Sequence, residues 1–374
     1  MDSTKIKRCQ RCVMDNRSDD KIIFYDDGTC SYCRDAFKRK ETEYFPNEIG
    51  TQKLKALLDE VKKAGKGKKY DCIMGLSGGL DSSYLAYLGH KWGLRVLAVH
   101  LDDGYDTEIS KNNLLKLVEK TGFDYKTIAP DSRQFNDLTL SFMKAGVPNI
   151  AIPQDNVIRA FLYKQMKKYK IKYFFSGFNF SLESILQEGN SYKNSDIRNL
   201  KDIHKKYFVS KINKLQFVSS TQLGIDKRVF GIKTVFPLNY VEYNRDKAFA
   251  ELKDFCGFEY YGRKHLENIF TAFVQLYWLP KKFNFDKRTS HLSSMIVSNQ
   301  MTREQALKEL EEPLYDEEMM SDYIDLIKNR MKLADDEFDS IMTAPTHQHT
   351  DFKVEDSLLH YRIIRSIFGG KNKK

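Results

Sequence analysis

A parallel α/β sheet with helices on both faces, preceded by a small metal-binding ribbon and followed by a helical C-terminal portion, is the fold class this sequence predicts. Three observations carry it. Short apolar runs alternate with helix-periodic segments between residues 70 and 176. The first of those runs ends in the glycine pair Gly78-Gly79, just where a helix pattern begins. Upstream, four of the six cysteines fall in two Cys-x2-Cys pairs.

The ribbon comes first, over residues 1–45. Cys9 and Cys12 are separated from Cys30 and Cys33 by residues 13–29, the double-knuckle spacing of a tetrathiolate zinc site. Between the pairs, Ile22-Ile23-Phe24-Tyr25 is strand-like and Asp26-Asp27-Gly28-Thr29 reads as a hairpin turn. Four thiolates leave no open coordination position, so the zinc would be structural. Disulfides are disfavoured in a reducing compartment, and an iron–sulfur cluster is the second alternative. Basic residues from Arg34 to Lys40 predict a solvated helix face. Leu54, Leu57, Leu58 and Val61 then keep helical spacing up to the linker Ala64-Gly65-Lys66-Gly67.

Residues 46–185 make the α/β core. Tyr70 to Leu76 is a short, mostly apolar strand of the kind covered on both faces, and Ser82 to Trp92 is helical. Arg95 to Leu101 is a second strand, running into Asp102-Asp103-Gly104-Tyr105. A helix from Glu108 to Gly122 and a strand from Tyr125 to Ala129 follow. After a helix from Asp155 to Tyr169, Ile171 to Ser176 is the fourth strand, running into Gly177-Phe178-Asn179-Phe180. In such sheets the strand C-termini share one ligand crevice, so Ser77, Asp102 and Gly177 converge despite their separation in sequence. The strand–helix alternation stops at about residue 185, and residues 186–374 read as mainly helical, with Val235 to Leu238 a short apolar element. Ala344 to His349 predicts a loop with solvated His347 and His349, and Gly369 to Lys374 a frayed end.

Chemistry concentrates in Ser77-Gly78-Gly79-Leu80-Asp81-Ser82-Ser83. Two glycines admit an anion close to the backbone, and the first N–H groups of the helix have no intrahelical acceptor. Ser77, Ser82 and Ser83 add hydroxyl donors. Asp81 would repel a polyphosphate unless a divalent cation lies between them, so the pattern implies Mg²⁺ together with nucleotide. It is not a Walker loop, which needs Lys followed by Ser or Thr at the helix start. The bland alternative is a strand-to-helix turn in which Asp81 and Ser82 serve only as helix caps.

Composition sets the frame. The 374 residues are 41% hydrophobic and 30% charged, an ordinary globular balance with no run long enough to span a bilayer. The opening MDSTKIKRCQRC has no apolar signal core, so the expected location is cytoplasmic. A net charge of +10 favours polyanionic partners, among which ATP, pyrophosphate and nucleotide sugars compete with nucleic acid.

The string from Ser77 to Ser82 resembles the pyrophosphate loop (PP-loop) of the ATP pyrophosphatase, or adenine nucleotide alpha hydrolase-like, superfamily. KRCQRCVMD, GLSGGLDSSYLAYL, GVPNIAIPQDNVIRAFLY, SGFNFSLES and LPKKFNFDKRTSHLSSMIVSNQMTREQAL occur in that order over roughly residues 5 to 330. Together they resemble the N-acetyl sugar amidotransferases of surface-glycan biosynthesis, which act in O-antigen and in pseudaminic or legionaminic acid pathways. That resemblance implies ATP-dependent conversion of an acetamido group to an acetamidino group. The amide oxygen is adenylated with release of pyrophosphate, and ammonia then displaces AMP. It also implies a separate glutaminase, related to the histidine-biosynthetic one, and a cyclase-like barrel subunit, because Cys72 and Cys256 lie in no nucleophile motif. Nucleic acid and membrane partners are not expected.

The same resemblance assigns roles. Ser77, Gly78, Gly79, Ser82 and Ser83 hold the departing pyrophosphate and Asp81 the Mg²⁺, making Asp81, Ser77 and Ser82 the catalytic candidates. Gly75, Leu76, His100, Leu101 and Asp102 frame the nucleotide from the strand ends. Gly177 and Asn179 contact the α-phosphate or the amide. Gln154 and Asn156 are candidates for sugar hydroxyls, with helix capping the equal alternative for Asp155. Lys281, Lys282, Lys287, Arg288 and His291 form the densest basic cluster, assigned to an anionic substrate against the alternative of a solvated helix face. Asp103, where the family pattern has Asn, and Phe178, where it has a second small residue, are departures. Two rivals stay open: a tRNA thiolase, which would need reactive cysteines near the loop, and a non-catalytic zinc-ribbon scaffold that binds nucleotide without turnover.

Overall fold

Five parallel strands in the order β3-β2-β1-β4-β5 form the centre of the protein: β1 Cys72–Gly75, β2 Val96–Leu101, β3 Asp124–Ile128, β4 Tyr173–Phe175 and β5 Lys233–Val235. The computed structural model describes residues 6–189, 191–208, 210–262 and 266–355; the frayed end expected at 369–374 lies outside them. β2 is buried along its whole length and β1 along all but Gly75, which is why both read as apolar runs rather than alternating ones. From β1 the chain moves outward to β2 and β3, then returns to the other side as β4. The switch point, where such sheets open a ligand crevice, therefore falls between β1 and β4.

Helices α1 Ser31–Glu43 and α2 Glu48–Gly65 precede the sheet, and α3 Leu80–Lys91, α4 Glu108–Thr121, α5 Ser132–Lys144 and α6 Ile152–Tyr169 connect its first four strands. α4 shows why its boundaries were legible. Thr107 accepts the Ser110 N–H at one end, and Gly122 closes the other at φ +66°, a conformation glycine enters without a Cβ penalty.

The sheet does not end with β4. β5 pairs with it in parallel, Tyr173 opposite Lys233 and Phe175 opposite Val235, although no strand was expected after Ser176. β5 is a three-residue edge strand with Lys233 and Thr234 exposed, so it lacks the apolar signature of a central strand. Ten helices occupy the described part of the chain after β4: α7 Phe180–Glu183, α8 Ile197–Lys206, α9 Ser220–Val229, α10 Arg245–Cys256, α11 Ile269–Phe273, α12 Leu279–Phe283, α13 Arg288–Val297, α14 Arg303–Glu311, α15 Glu317–Met331 and α16 Asp335–Thr343. A π-helical turn, Val274–Trp278, joins α11 to α12. Of these, α7, α10, α13 and α14 pack with α3 and α4, whereas α8, α11, α12, α15 and α16 share a second core with α5 and α6. Trp278, fully buried, packs there and donates its indole N–H to the Val147 carbonyl at 3.0 Å. No described helix is long and apolar enough to cross a membrane.

The N-terminal segment folds back on α13. Val13 N–H donates to Ser293 Oγ at 3.2 Å, and the Thr289 hydroxyl donates to Ser18 Oγ at 3.1 Å. Phe24 and Cys30 form an antiparallel bridge around the expected turn, with Gly28 at φ +75°. One expectation for the last loop fails. His349 is buried, stacks on Tyr192 at 4.7 Å and meets Asn199 Oδ1 at 3.0 Å; burial pushes its imidazole down to about 4. The local sequence carries no sign of this, because Asn199 and Tyr192 come from about 150 residues upstream.

Candidate active site at the strand ends

At the end of β1 the chain turns through Ser77 to Gly79 into α3. Gly78 sits at φ +76°, and a Cβ there would come within 2.3 Å of the Ser110 carbonyl oxygen, so the turn requires glycine twice over. The Ser82 hydroxyl gathers the loop: it accepts the Ser77 N–H at 3.2 Å, meets Ser77 Oγ at 3.1 Å and donates to the Gly79 carbonyl at 3.2 Å. No side chain caps α3 at Gly79; instead the Leu80 N–H donates to the Tyr261 hydroxyl at 2.7 Å. Opposite, Gly177 closes in, and a Cβ there would lie 3.2 Å from Ser82 N.

Three carboxylates line the cavity around this turn: Asp81, Glu183 and Glu267. Asp81 accepts the hydroxyl of buried Tyr243, while Glu267 accepts the Ser77 hydroxyl at 3.3 Å and lies over Gly79. Hard oxygen donors of this kind suit Mg²⁺, which takes one or two carboxylates and completes its shell with phosphate oxygens and water. Among the described residues, the four cysteines are the group whose ligand atoms come within one ion's reach of each other.

A second compartment extends from Ser77 along the ends of β1 and β2 and is lined by Gly75, Leu76, His100, Leu101, Gln154 and Asp155, among others. Buried His100 donates from Nδ1 to the Leu76 carbonyl at 2.8 Å and from Nε2 to Asp106 at 2.9 Å. Burial alone would depress this imidazole, but Asp106 and the carbonyl outweigh it and raise it above its usual value, favouring the doubly protonated ring. Asn268 then ties the far wall, donating to Asp103 at 3.1 Å and forming a bridge with Asp106. Burial raises the Asp103 carboxyl to about 6, against hydrogen bonds from Tyr105 N–H, Asn268 and Gln154 that favour its charged form.

The structure thus brings together Gly75, Leu76, Ser77, Gly79, Asp81, Ser82, His100, Leu101, Gln154 and Gly177, with Gly78 shaping the turn. Other candidates lie elsewhere. Ser83 is one residue further into α3, fully buried, and its hydroxyl lines neither compartment. Asp102 is exposed and accepts the Gly104 N–H. Asn156 is buried and spends its amide on the carbonyls of Asn194 and Val218 and on the Val218 N–H. Asn179 is the N-cap of α7. In the basic cluster, Lys282 donates to the carbonyls of Ile341, Met342 and Ala344 at the end of α16. Arg288 holds Asp286 and the carbonyls of Glu309, Leu310 and Glu312 at the end of α14. These are helix C-caps, a use of basic side chains that composition cannot separate from anion binding. Sequence reasoning missed Glu183, Asp106, Tyr243, Tyr261, Glu267 and Asn268. Glu183 stands inside the stretch SGFNFSLES; the last four lie 160 or more residues from their partners and leave no local signal.

In the ribbon, Cys9 Sγ and Cys33 Sγ are 3.7 Å apart, and Cys12 Sγ and Cys30 Sγ 3.6 Å. Zn–S bonds of about 2.3 Å give a tetrahedron edge of about 3.8 Å, so the thiols fit this ion. The contact with Cys12 drives the Cys9 thiol far down, and that with Cys30 drives Cys12 up, so the set ionises as one cluster.

Sheet order, glycine turn and converging strand ends define a PP-loop type of α/β nucleotide-binding fold. Two family models match parts of the chain. Residues 50–156 match the NAD synthase family model, and residues 267–367 match that of the LPS biosynthesis protein WbpG-like, C-terminal domain. The second match opens on Glu267, the carboxylate that reaches Ser77. Similar solved structures include an NMN synthetase from Francisella tularensis (15% identity, 78% of this chain and 98% of that one, TM-score 0.38). An NH3-dependent NAD synthetase from Campylobacter jejuni (16%, 55% and 93%, 0.29) and a NAD+ synthetase from Burkholderia pseudomallei (12%, 60% and 92%, 0.30) are also similar. No curated protein matches the chain.

Proposed function

We propose that this chain is an ATP-dependent amidotransferase that adenylates an acetamido group of a bacterial glycan-precursor sugar and replaces its oxygen with ammonia, releasing AMP and pyrophosphate. One observation carries it. A pyrophosphate-type turn similar to that of NAD synthases is completed by Glu267, from a segment similar to an LPS biosynthesis protein. The Ser77–Ser82 turn and the start of α3 would hold the β- and γ-phosphates, and His100, held between the Leu76 carbonyl and Asp106, would wall the nucleotide's compartment. Asp81 and Glu183 would hold Mg²⁺, which when bound screens the phosphates from the carboxylates. An amide oxygen leaves poorly as oxide, so adenylation precedes attack by ammonia. The cysteine cluster would hold a structural zinc.

Nitrogen, rather than sulfur, transfer is supported by Cys72, the cysteine nearest the turn in sequence: it is wholly buried and burial pushes its thiol well up, away from the reactive thiolate. Cys256 is buried too and donates to the Leu252 carbonyl. We therefore assign ammonia supply to a separate glutaminase, with a cyclase-like barrel subunit as its companion. The test is direct. Purified chain with ATP, Mg²⁺ and a diacetamido sugar should give the acetamidino product, AMP and pyrophosphate with high ammonium at raised pH. Glutamine should replace ammonium only once a glutaminase is added. ADP as the nucleotide product would overturn the mechanism, and efficient glutamine use by this chain would overturn the partner.

A further inference from the structure

Three residues with hydroxyl groups line the compartment around the pyrophosphate turn: Ser77, Ser82 and Tyr261. The two serines spend their protons inside the protein. Ser82 donates to the Gly79 carbonyl at 3.2 Å, and Ser77 donates to Glu267 at 3.3 Å. Tyr261 differs, because its oxygen accepts the Leu80 N–H at 2.7 Å and, among the described residues, no acceptor takes its proton.

The ring is held from behind. It stacks on Tyr260 at 5.8 Å, meets Phe258 edge-on at 6.4 Å and packs against the core that α3, α4 and α10 share. Such packing fixes where the hydroxyl sits, so it does not have to be ordered when a ligand arrives. Leu80 is the first residue of α3, at the end of the helix that carries partial positive charge. A phenol that accepts the N–H there is polarised toward donating its own proton in a further hydrogen bond. Burial keeps it a donor: it pushes the Tyr261 hydroxyl well above its ordinary value, and the Glu267 carboxylate nearby pushes the same way. The acids around it, Asp81, Glu183 and Glu267, cannot donate to a phosphate when ionised.

We propose that Tyr261 is a ligand of the departing pyrophosphate: its hydroxyl accepts the Leu80 N–H and donates to a phosphate oxygen, so that the end of α3 acts on the leaving group through the phenol. No proton changes hands. The hydrogen bond strengthens as negative charge moves onto the pyrophosphate, which places its effect in the transition state as well as in binding. This role rests on the pyrophosphate-turn reading above and adds to it a residue from the C-terminal part of the chain.

Direct binding to the full-length protein tests this without any acceptor sugar. Wild type should bind pyrophosphate in the presence of Mg²⁺. Tyr261→Phe, which keeps the ring and removes the oxygen, should weaken that binding by about tenfold, the scale of one hydrogen bond to a charged group, and leave AMP affinity within twofold. A fluorotyrosine placed at position 261 should shift its fluorine resonance when Mg²⁺ and pyrophosphate are added and not when AMP is added, a readout that does not depend on how well the Phe variant folds. Unchanged pyrophosphate affinity in Tyr261→Phe overturns the proposal whatever happens to its melting temperature. So does an equal loss of AMP affinity, or a fluorine resonance that ignores pyrophosphate. A wild type that binds no pyrophosphate overturns the reading of the turn itself, and the amidotransferase reading is judged separately, by whether AMP and pyrophosphate form with a diacetamido sugar.

Discussion

At the strand ends, the turn from Ser77 to Ser82 offers backbone N–H groups and hydroxyls framed by three carboxylates; in the N-terminal ribbon, four buried thiols lie within 4.8 Å of one another. The first surface would hold phosphates through glycine geometry and a hard cation, the second a zinc ion through soft sulfur alone. Sites built from such different materials answer to different perturbations. Removing a carboxylate should stop chemistry and leave the fold, and removing a thiol should do the reverse.

The sharpest way to break this contrast is Asp81→Asn. It removes one charge with little change in volume, and the Asn oxygen can still accept the Tyr243 hydroxyl. AMP formation should fall about 100-fold or more, the scale of losing one charge-stabilising group in a catalytic centre. Zinc content and melting temperature should hold. If both fall in step with AMP formation, Asp81 supports the fold and not only the chemistry.

Cys30→Ser comes next. The purified wild type should contain about one zinc per chain by elemental analysis, and the variant should lose it, since structural zinc contributes roughly 10 kcal/mol or more in small domains. The ribbon packs on α13 through Val13 and Ser18, whereas the contacts of the Ser77–Ser82 turn come from elsewhere. Melting temperature should therefore fall under conditions where ATP affinity changes less than twofold. Equal losses would show that the ribbon supports the whole fold evenly, and an iron chromophore would redirect the metal assignment.

Asp103→Asn is the smallest effect. The folded carboxyl titrates at about 6 against an ordinary 3.8, so the folded state holds the proton more tightly. Its stabilising contribution is full below about pH 4 and is lost as pH rises through about 6. The variant should melt roughly 2 °C or more above wild type at pH 7.5 and should show a flatter dependence of stability on pH between 4 and 6. An unchanged slope would mean that Asp103 ionises at an ordinary value. ATP affinity is the second readout, because Asn268 and Gln154 meet at this carboxylate on the wall of the nucleotide compartment.

Legibility in the sequence follows the same divide. Strands β1 and β2 are covered on both faces, so they announce themselves as apolar runs, and the positive φ of Gly78 demands the glycine that marks the turn. Local backbone requirements leave local traces. Side-chain roles do not: Lys282 and Arg288 look like anion binders in a basic stretch yet close the ends of α16 and α14, and Asn179 caps a helix four residues long. β5 was illegible because an edge strand needs no apolar face, and Glu267 because its meaning depends on Ser77, 190 residues away.

That distance has a consequence for how the protein can be divided. β5, the Tyr243 hydroxyl on Asp81, the Tyr261 hydroxyl on the Leu80 N–H and the Glu267 carboxylate on Ser77 all come from beyond residue 185. A fragment ending there would carry every residue of the pyrophosphate turn and still lack the sheet edge and three groups that position it. The C-terminal part is thus not a cargo module that can be unplugged and exchanged for another. Separately expressed halves, tested for ATP binding before and after mixing, would reveal that interlock as binding regained only on recombination.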